Sequence, residues 1–271
     1  MKIAPFFAKA SPAAIREGRL GTLAALAALL LSACSNTGNT VSTANTEGLV
    51  TAGKAAVQAA TLSDADVMEL SEKSCAELDS KSKIAAPKSK YAQRLAKITK
   101  SLPKAVDGVT ISYKVYETKE VNAWAMNNGC VRVYSGLMAM MTDDEVRGVV
   151  GHEIGHVALG HSKKSMQVAY AAGAARQVAA ASGNSAVAAL SASDIGAIAE
   201  KLVNAQFSQA QESEADDYSF DLLTAAKLKR EGLITAFEKL AKLGDSNSML
   251  SSHPSSAGRA QHIRERIAAK K

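Results

Sequence analysis

Three residues in the stretch GHEIGHVALGH, residues 151–161, have the types and spacing to hold and use a metal ion. His152, Glu153 and His156 match the pattern His-Glu-x-x-His. On a helix, positions i and i+4 lie on one face about 5–6 Å apart, so both imidazoles can reach one ion beside the glutamate. The ligand set suits a catalytic Zn²⁺, which lowers the pKa of a water toward about 7 so that a neighbouring glutamate can take its proton.

A catalytic zinc takes three protein ligands, so a further residue must come from elsewhere in the chain. His161 is i+5 from His156 and would lie off the ligand face of a continuous helix. The extended pattern His-x-x-Gly-x-x-His also fails, because Leu159 and Ser162 stand at the positions of its glycine and its second histidine. We therefore expect His161 either to support a ligand from behind or to lie at the surface.

The stretch ESEAD, residues 212–216, is the richest downstream source of carboxylates on a predicted helix. Helical spacing puts Glu212 and Asp216 on one face and Glu214 with Asp217 on another. One acid of a pair can bind zinc while the other orients a ligand histidine, because metal-bound imidazoles usually donate their second N–H to a carboxylate. Helical geometry alone leaves both pairs open.

The helix that carries the histidines is predicted to begin at Thr142, because Thr142 and Glu145 form a Thr-x-x-Glu capping box. Gly148, Gly151 and Gly155 lie inside this helix, at a cost of about 1 kcal/mol each relative to alanine. They fall on one face, next to the face of the histidines. We expect another element to pack closely against these glycines and to deliver a further ligand.

The elements before this helix combine two helices and a few strands. Ser63 is a predicted cap of the first helix, and a second helix runs through KYAQRLAKITKSL to Pro103. Residues 109–117, VTISYKVYE, alternate as a half-buried strand does. The segments VNAWAM and CVRVYSG, joined by NNG, predict a hairpin, so we expect a small antiparallel sheet.

After residue 142 the chain is predicted to be helical. The region 165–205 is rich in Ala, Gln and Ser and contains ASGNSA, a predicted break. Helices are then expected through LVNAQFSQAQESEADDYSFDLL, near LITAFEKLAKL and from about Ala257. The predicted class is α+β and predominantly helical, with one domain over residues 62–271.

Charge and composition exclude a nucleic-acid-binding protein. The formal charge is +6, but Lys2, Lys9, Arg16 and Arg19 against Glu17 give +3 to residues 1–33, which leaves +3 for the rest. This balance is far from a basic nucleic-acid footprint. The segment from Lys81 to Lys104 holds eight basic residues and no acidic one, and is expected to be a solvated face or, as the alternative, a contact with anionic lipid.

The N-terminus predicts a lipoprotein signal peptide over residues 1–33. The apolar run Leu20–Leu31 has twelve residues, short of the roughly 20 that a membrane-spanning helix needs. It ends in LSAC, which resembles a bacterial lipobox, so Cys34 is expected to be lipidated; an ordinary signal peptide is the alternative. Ser35 after the cysteine indicates the outer membrane. Residues 34–61 are expected to be the lipidated cysteine and a flexible tether.

The remaining cysteines, Cys75 and Cys130, form an even pair in a chain with an export signal. Such pairs are typically oxidised outside the cytosol, so we expect a disulfide between them, with two reduced thiols as the alternative.

Three motifs together resemble the M48 family of zinc metallopeptidases, in particular its periplasmic lipoprotein branch. They are GHEIGHVALGH, ESEAD and HPSSAGR, in that order after NGCVRVYSGLM, and the resemblance runs from about residue 62 to the C-terminus. It implies a zincin-like core, with an active-site helix that carries His-Glu-x-x-His. It also implies that Glu212 is the third zinc ligand and that Asp216 supports the site from behind the ligands.

The resemblance extends to two further segments. The strand beside the site carries Asn122, Ala123 and Trp124 and is expected to offer an edge to a peptide, which would add as a strand. His253, Pro254 and Arg259 match a histidine-proline segment whose histidine can approach the metal. His253 as a fourth ligand would displace the reactive water; set back, it or Arg259 could stabilise the oxyanion. The alternative is that His253 only caps a loop.

The sequence thus predicts a zinc endopeptidase, lipid-anchored to the outer membrane on its periplasmic face, with one Zn²⁺ per chain and Glu153 as general base. The resemblance implies unfolded or misassembled envelope proteins as substrates, with envelope-assembly factors or other proteases as possible partners. The alternatives are a chaperone-like client-binding lipoprotein with secondary or latched proteolysis, and a structural lipoprotein whose zinc only joins helices.

Overall fold

The computed structural model describes residues 62–174, 187, 190–243, 249, 252–253 and 256–269. Nine α-helices are defined within these residues: α1 Asp64–Lys81, α2 Lys90–Thr99, α3 Ser135–Met140, α4 Asp143–Ala158, α5 His161–Ala174, α6 Ala192–Val203, α7 Gln209–Ala225, α8 Glu231–Ala241 and α9 Ser256–Ala269. The signal peptide, the tether, Cys34 and the predicted break at ASGNSA lie outside the described residues. None of the described helices has the length and apolar character that a bilayer crossing requires.

In the described part of the chain, five short strands form two small sheets. The strands are β1 Ala105–Val106, β2 Val109–Thr110, β3 Ser112–Tyr116, β4 Ala123–Ala125 and β5 Cys130–Tyr134. The larger sheet has the order β3-β5-β4, and β4 pairs antiparallel with β5 through the predicted hairpin at NNG. The pairing of β3 with β5 is parallel, so the expectation of a purely antiparallel sheet is wrong. The reason is that β5 folds back between its two predecessors, where its nearly continuous buried run is covered on both edges.

The predicted single strand over residues 109–117 divides at Ile111. Its first part, β2, turns back onto β1 through Asp107 and Gly108, whose φ angles of 48° and 81° are both in the left-handed region. A two-residue turn of this kind matches the twist of a hairpin. The Ile111 N–H donates to the Lys104 carbonyl, and the chain then enters β3 in the other sheet. The alternation therefore predicted extended backbone correctly but not its division between two sheets.

Several predicted helices are confirmed, with one clear exception. Ser63 caps α1 with a capping box, as expected. The second helix ends at Thr99, earlier than predicted. The continuous helix predicted through LVNAQFSQAQESEADDYSFDLL is wrong, because α6 ends at Val203 and α7 begins only after Ser208, whose side chain forms a capping box with Gln211. Local capping at Ser208 defines where α7 starts and so places the ESEAD segment in its first turns.

The glycine face of α4 is confirmed as a site of close packing. A Cβ at Gly151 would lie 2.5 Å from Ser219 Oγ, and one at Gly155 would lie 3.0 Å from the Ala215 carbonyl oxygen, both on α7. The Ser219 hydroxyl donates to the Gly148 carbonyl across this contact at 2.9 Å. Helix α7 carries the ESEAD segment, so the element that packs on the glycines is the one that brings the downstream carboxylates to the histidines.

The apolar core lies between these helices and the larger sheet. One buried cluster joins residues of α2, β3, β5, α3, α4, α7, α8 and α9, and a second joins α1, α5 and α6. A third, smaller cluster surrounds Cys75 and Cys130, whose Cα atoms are 6.5 Å apart and whose sulfur atoms are at bonding distance. That spacing falls within the range seen for disulfides.

Asp79 joins α1 to the sheet through a cluster of donors. Its carboxylate accepts from Arg132 Nε at 2.8 Å, from Lys114 Nζ at 2.6 Å and from the Tyr116 hydroxyl at 2.8 Å. Burial alone would raise its pKa, but the hydrogen bonds from these three side chains lower the pKa of Asp79 to about 2. The charged form of Asp79 is therefore the one that the fold stabilises.

We expect Asp79→Asn to lower the free energy of unfolding by about 1.5–3 kcal/mol at pH 6, because the buried Arg132 loses its ionic partner. The pKa of Asp79 is depressed from its ordinary 3.8, so its contribution is complete above pH 3.8 and is lost as the pH falls through about 2. Urea unfolding of both proteins at pH 6 and near pH 2 measures this. If the two proteins differed in free energy of unfolding by the same amount at both pH values, the role of Asp79 as the charged partner of Arg132 would be contradicted.

Candidate metal centre

Helix α4 presents His152, Glu153 and His156 from its last two turns. The helix begins at Thr142 as predicted, because the Thr142 side chain accepts from the Glu145 N–H while the Glu145 carboxylate accepts from the Thr142 N–H. All three side chains are buried. The Nε2 atoms of the two histidines are 3.0 Å apart, so they converge on one point as the spacing predicts.

Helix α7 and the segment after α8 complete the group of converging atoms. Glu212 Oε1 lies 3.3 Å from His156 Nε2, and Glu212 Oε2 lies 3.6 Å from His152 Nε2. His253 Nδ1 lies 2.9 Å from Glu212 Oε1 and 3.3 Å from His152 Nε2. Tetrahedral ligands about 2.0–2.1 Å from a zinc ion are about 3.3 Å from one another, so the spacing of these atoms suits one such ion.

Asp216 and Arg259 surround this group from behind. Asp216 Oδ1 lies 2.8 Å from His152 Nδ1, the nitrogen that faces away from the converging atoms. Arg259 donates to both oxygens of Asp216, at 2.7 Å from Nε and 2.6 Å from Nη2, and its Nη1 lies 2.6 Å from Glu212 Oε2. Its guanidinium also lies over the ring of Phe237, 4.2 Å from the centroid. Arg259 therefore joins the two carboxylates of α7, and its Nη2 also lies 3.1 Å from Nδ1 and 3.3 Å from Nε2 of His152.

Glu153 has a different environment from the other acids. Burial raises the pKa of its carboxyl, only partly offset by the nearby His253 and His152. Its Oε1 is 3.6 Å from His253 Nε2 and has no hydrogen-bond partner among the described residues. A buried carboxyl that is poorly solvated and unpaired is a good proton acceptor, which is the property that a general base requires.

The surroundings favour the charged forms of the two α7 carboxylates and the neutral form of His156. Burial opposes ionisation of Glu212, but His253, His152 and Arg259 lower the pKa of this carboxyl well below its usual range. Burial would raise the pKa of Asp216, but Arg259 lowers the pKa of this carboxyl below its usual value. Burial, and then the charge of His152, lower the pKa of His156, so its neutral, metal-binding form is favoured.

The donor set fits zinc on observations independent of the motif. Four side chains of types that bind zinc, His152, His156, Glu212 and His253, place one donor atom each within 4.8 Å of every other. Oε1 of Glu153 and Oε2 of Glu212 are buried without a hydrogen-bond partner among the described residues, although Oε2 touches Arg259. Three nitrogens and a carboxylate in a closed group are what a zinc ion prefers.

Strand β4, where a substrate strand is predicted to add, lies at the edge of the larger sheet and packs against α4. The register with β5 turns the backbone polar groups of Ala123 and Ala125 outward. The Ala123 N–H donates to the Asn122 side-chain oxygen at 2.9 Å, and the Ala125 carbonyl accepts from the Ser162 hydroxyl at 3.2 Å. Trp124 is buried and lines a small pocket with Met126, Met166, Leu202 and Phe207.

Two further aromatic rings, those of Phe207 and His161, contact His156. The ring of Phe207 stacks on the imidazole with centroids 3.8 Å apart and planes at 20°. His161, expected to be a supporting or a surface residue, is buried, and its Nδ1 lies 3.0 Å from His156 Nδ1. No sequence signal marks Phe207, but Gly160 before His161 is a helix stop that could have indicated a change of direction there.

Comparison with known proteins identifies the family. The family model described as "Peptidase family M48" matches residues 89–267, which is well over half of the chain. The chain belongs to peptidase family M48. Among curated M48-like relatives, it is 56% identical over 227 residues to "Metalloprotease LoiP" of Escherichia coli strain K12, covering 83% of this chain and 90% of that protein.

A second relative from the same organism is "Metalloprotease YcaL", 53% identical over 235 residues, with 84% of this chain and 92% of that protein covered. This M48 chain is also similar, over a shorter stretch of 50 residues with 48% identity, to "Protease HtpX" of Shewanella frigidimarina. These matches confirm the predicted membership of family M48. They also confirm the α+β, predominantly helical zincin-like class and the metalloendopeptidase activity. Zinc is the metal of M48 peptidases, and this site can hold one ion.

Proposed function

We propose that this M48 chain is a zinc endopeptidase of the bacterial periplasm, anchored by lipid at Cys34 to the outer membrane, which cleaves unfolded or misassembled envelope proteins. The observation that carries the enzymatic part is the convergence of His152 Nε2, His156 Nε2 and Glu212 beside the buried Glu153, whose Oε1 has no hydrogen-bond partner among the described residues. The location rests on the apolar run that ends in LSAC and on the polar segment after it.

His152, His156 and Glu212 would hold the zinc ion, and Asp216 would keep His152 in the tautomer whose Nε2 is free, because Asp216 accepts from Nδ1 at 2.8 Å. Bound zinc supplies a Lewis acid that activates a water and polarises the scissile carbonyl. Glu153 accepts the proton of the attacking water and then gives it to the leaving amine. Its raised pKa makes the protonated form accessible for that second step.

The substrate is proposed to add along Val121–Met126 as an extra strand on β4, which supports recognition of extended polypeptides. The outward groups of Ala123 and Ala125 would bond the substrate backbone after Asn122 and Ser162 release them. Recognition through the backbone selects for chains that are locally unfolded, because a folded protein rarely leaves a strand unpaired. This is the physical basis for unfolded envelope proteins as the substrate class.

His253 is proposed to close the resting site. Its Nδ1 belongs to the converging group, and four protein ligands on zinc leave no position for a reactive water. Burial disfavours the charged form of His253, yet Glu212 and Glu153 raise its pKa, so the ring must give up a proton before Nδ1 can bind zinc. Cleavage would then require His253 to withdraw, and its Nε2, 3.6 Å from Glu153, or Arg259 would be available to help stabilise the oxyanion.

The Cys75–Cys130 pair is proposed to be oxidised in the protein's compartment. The two sulfur atoms meet between α1 and the start of β5. A disulfide here would join the first helix to the sheet that carries the proposed substrate strand, and a bridge over such a loop typically stabilises by about 2–4 kcal/mol.

The proposal is tested by incubating the purified protein with an unfolded protein, with added zinc or with a chelator, and identifying fragments by mass spectrometry. We expect internal cleavage that zinc supports and the chelator abolishes, and little cleavage of the same substrate when folded. Absence of fragments from both the zinc-loaded protein and its His253→Ala variant would refute an endopeptidase function.

We expect His253→Ala to raise the basal cleavage rate of the zinc-loaded protein severalfold and to weaken zinc binding, because one of four donors is removed. The rate on an unfolded substrate and the zinc affinity in a chelator competition measure the two effects. His262→Ala is the matched control, since His262 pairs with Asp217 away from the converging atoms. A tenfold fall in rate with zinc retained would instead assign His253 to the catalytic step.

A chaperone-like lipoprotein that holds clients and cleaves only when unlatched is the second candidate. Two observations favour it: His253 lies among the metal donors, and two edge groups of β4 are already bonded to side chains. Complementation by Glu153→Gln distinguishes the two functions in cells. Full cellular function of that variant would favour client binding, and loss of function would favour proteolysis.

A further inference from the structure

His161 lies behind the metal centre because the chain changes direction at Gly160. Helix α4 ends with Leu159 as its C-cap, and Gly160 follows with a φ of 71°, in the left-handed region. His161 is the first residue of α5. In a continuous helix, the i+5 position would carry it off the ligand face, but the break returns its ring to His156. Only 6% of His161 is exposed.

The ring nitrogens of His161 contact one group on each side. Its Nδ1 lies 3.0 Å from His156 Nδ1, and its Nε2 lies 3.0 Å from Glu214 Oε2 on α7. Glu214 belongs to the face of α7 that points away from Glu212 and Asp216, and 60% of its side chain is exposed. A continuous path of polar contacts therefore runs from the proposed metal ligand to a carboxylate at the surface.

The chemistry of the three groups allows one consistent arrangement of protons. His156 Nε2 faces the converging donors and must carry a lone pair to bind a metal, so the ring proton is on Nδ1. That proton is donated to Nδ1 of His161, which then carries its own proton on Nε2. The carboxylate of Glu214 has only acceptors, so it receives the hydrogen bond from His161 Nε2.

We propose that His161 and Glu214 are a pair of positioning residues that hold His156 in its metal-binding tautomer and orientation, and so raise the affinity of the centre for zinc. His152 receives the same support directly from Asp216 at 2.8 Å, whereas His156 receives it through an intervening histidine. Both ligand histidines of α4 are thereby oriented by carboxylates of α7. Phe207 stacks on the face of the His156 ring and limits its rotation.

The inference rests on the metal centre of the proposed function but not on the substrate or the location. The test is therefore zinc affinity, measured without any peptide by competition of the full chain with a chromophoric chelator. Supporting contacts to metal ligands typically contribute 10–100-fold in affinity. We expect His161→Phe, which keeps an aromatic ring but removes the acceptor, to weaken zinc binding by about that factor.

Glu214→Gln provides a variant that is expected to fold, because the side chain is largely exposed. We expect it to weaken zinc binding by a smaller factor in the same direction. Its matched control is Asp217→Asn, which removes the same charge from the same helix but affects the surface residue His262 instead. Asp217→Asn is expected to leave the zinc affinity within about twofold of the unmodified protein.

The double variant separates a relay from a simple charge effect. Because Glu214 acts through His161, adding Glu214→Gln to His161→Phe is expected to cause no further loss of affinity. Additive losses would overturn the proposal, since they would mean that Glu214 acts on zinc only by long-range attraction. An unchanged zinc affinity in His161→Phe, with lower stability of the metal-free protein, would also overturn it and leave His161 a packing residue.

Discussion

Replacement of Glu153 by glutamine is expected to lower kcat for peptide cleavage by about 10²–10⁴-fold while zinc remains bound, because proton transfer by a positioned base contributes about that much. The amide has nearly the same size and stays in the buried position beside His152 and His253. It cannot accept the proton of the attacking water. Initial rates on an unfolded substrate, with zinc content measured on the same samples, test this expectation.

Glu238→Gln is a suitable control for Glu153→Gln, since it makes the same change on α8 at an exposed ion pair with Arg264. Its rate is expected to match that of the unmodified protein. If Glu153→Gln kept more than about a tenth of the rate at full zinc content, Glu153 would not be the general base. Loss of zinc in this variant would contradict the assignment of Glu153 as a residue beside the metal and not on it.

Arg259→Ala is expected to destabilise the metal-free protein by about 3–5 kcal/mol, the typical cost of removing one partner from a buried ion pair. Only 6% of Arg259 is exposed, and its loss leaves both Asp216 and Glu212 without their cation. It also removes the contact with the Phe237 ring. Urea unfolding in the presence of a chelator measures the difference.

The same helix supplies the matched control for this effect. Arg264 of α9 pairs with Glu238 at the surface, with more than 40% of each side chain exposed, so Arg264→Ala is expected to cost less than about 1 kcal/mol. Arg259→Lys should recover only part of the loss, because an ammonium cannot reproduce the two parallel bonds to Asp216. Equal losses for Arg259→Ala and Arg264→Ala would contradict the role assigned to the buried pair.

The local features of α4 were predictable because they depend on residues close in sequence. The capping box at Thr142 fixed the start of the helix, and the i, i+4 spacing placed His152 and His156 on one face. The glycines indicated a close neighbour, and α7 is that neighbour. Each of these inferences uses a short-range rule, and each agrees with the structure.

Features that depend on distant residues were less accessible. Helical spacing grouped Glu212 with Asp216, and Glu214 with Asp217, but it could not say which face α7 would turn toward α4. The resemblance to M48 peptidases selected Glu212, and the structure buries Glu212 and Asp216 beside the histidines. The parallel pairing of β3 with β5 and the stacking of Phe207 on His156 arise from long-range packing that no local pattern encodes.

His161 illustrates how one local signal can refine an inference. The i+5 spacing excluded it as a metal ligand, which agrees with its position behind His156 and outside the group of donors. The spacing does not reveal the contact with His156, because it describes a continuous helix and the chain leaves the helix at Gly160. A glycine in the left-handed region ends α4 there and redirects the next residue toward the ligand that it supports.

Zinc-edge anomalous diffraction from crystals of the zinc-loaded protein tests the central claim most directly. The account predicts one strong peak within about 2.0–2.2 Å of His152 Nε2, His156 Nε2 and a Glu212 oxygen, with Glu153 beside the ion but not bound to it. A His253 Nδ1 at the same distance would demonstrate the closed resting site. A peak that lacks any one of the first three ligands, or one in which Glu153 is a ligand, would contradict the account.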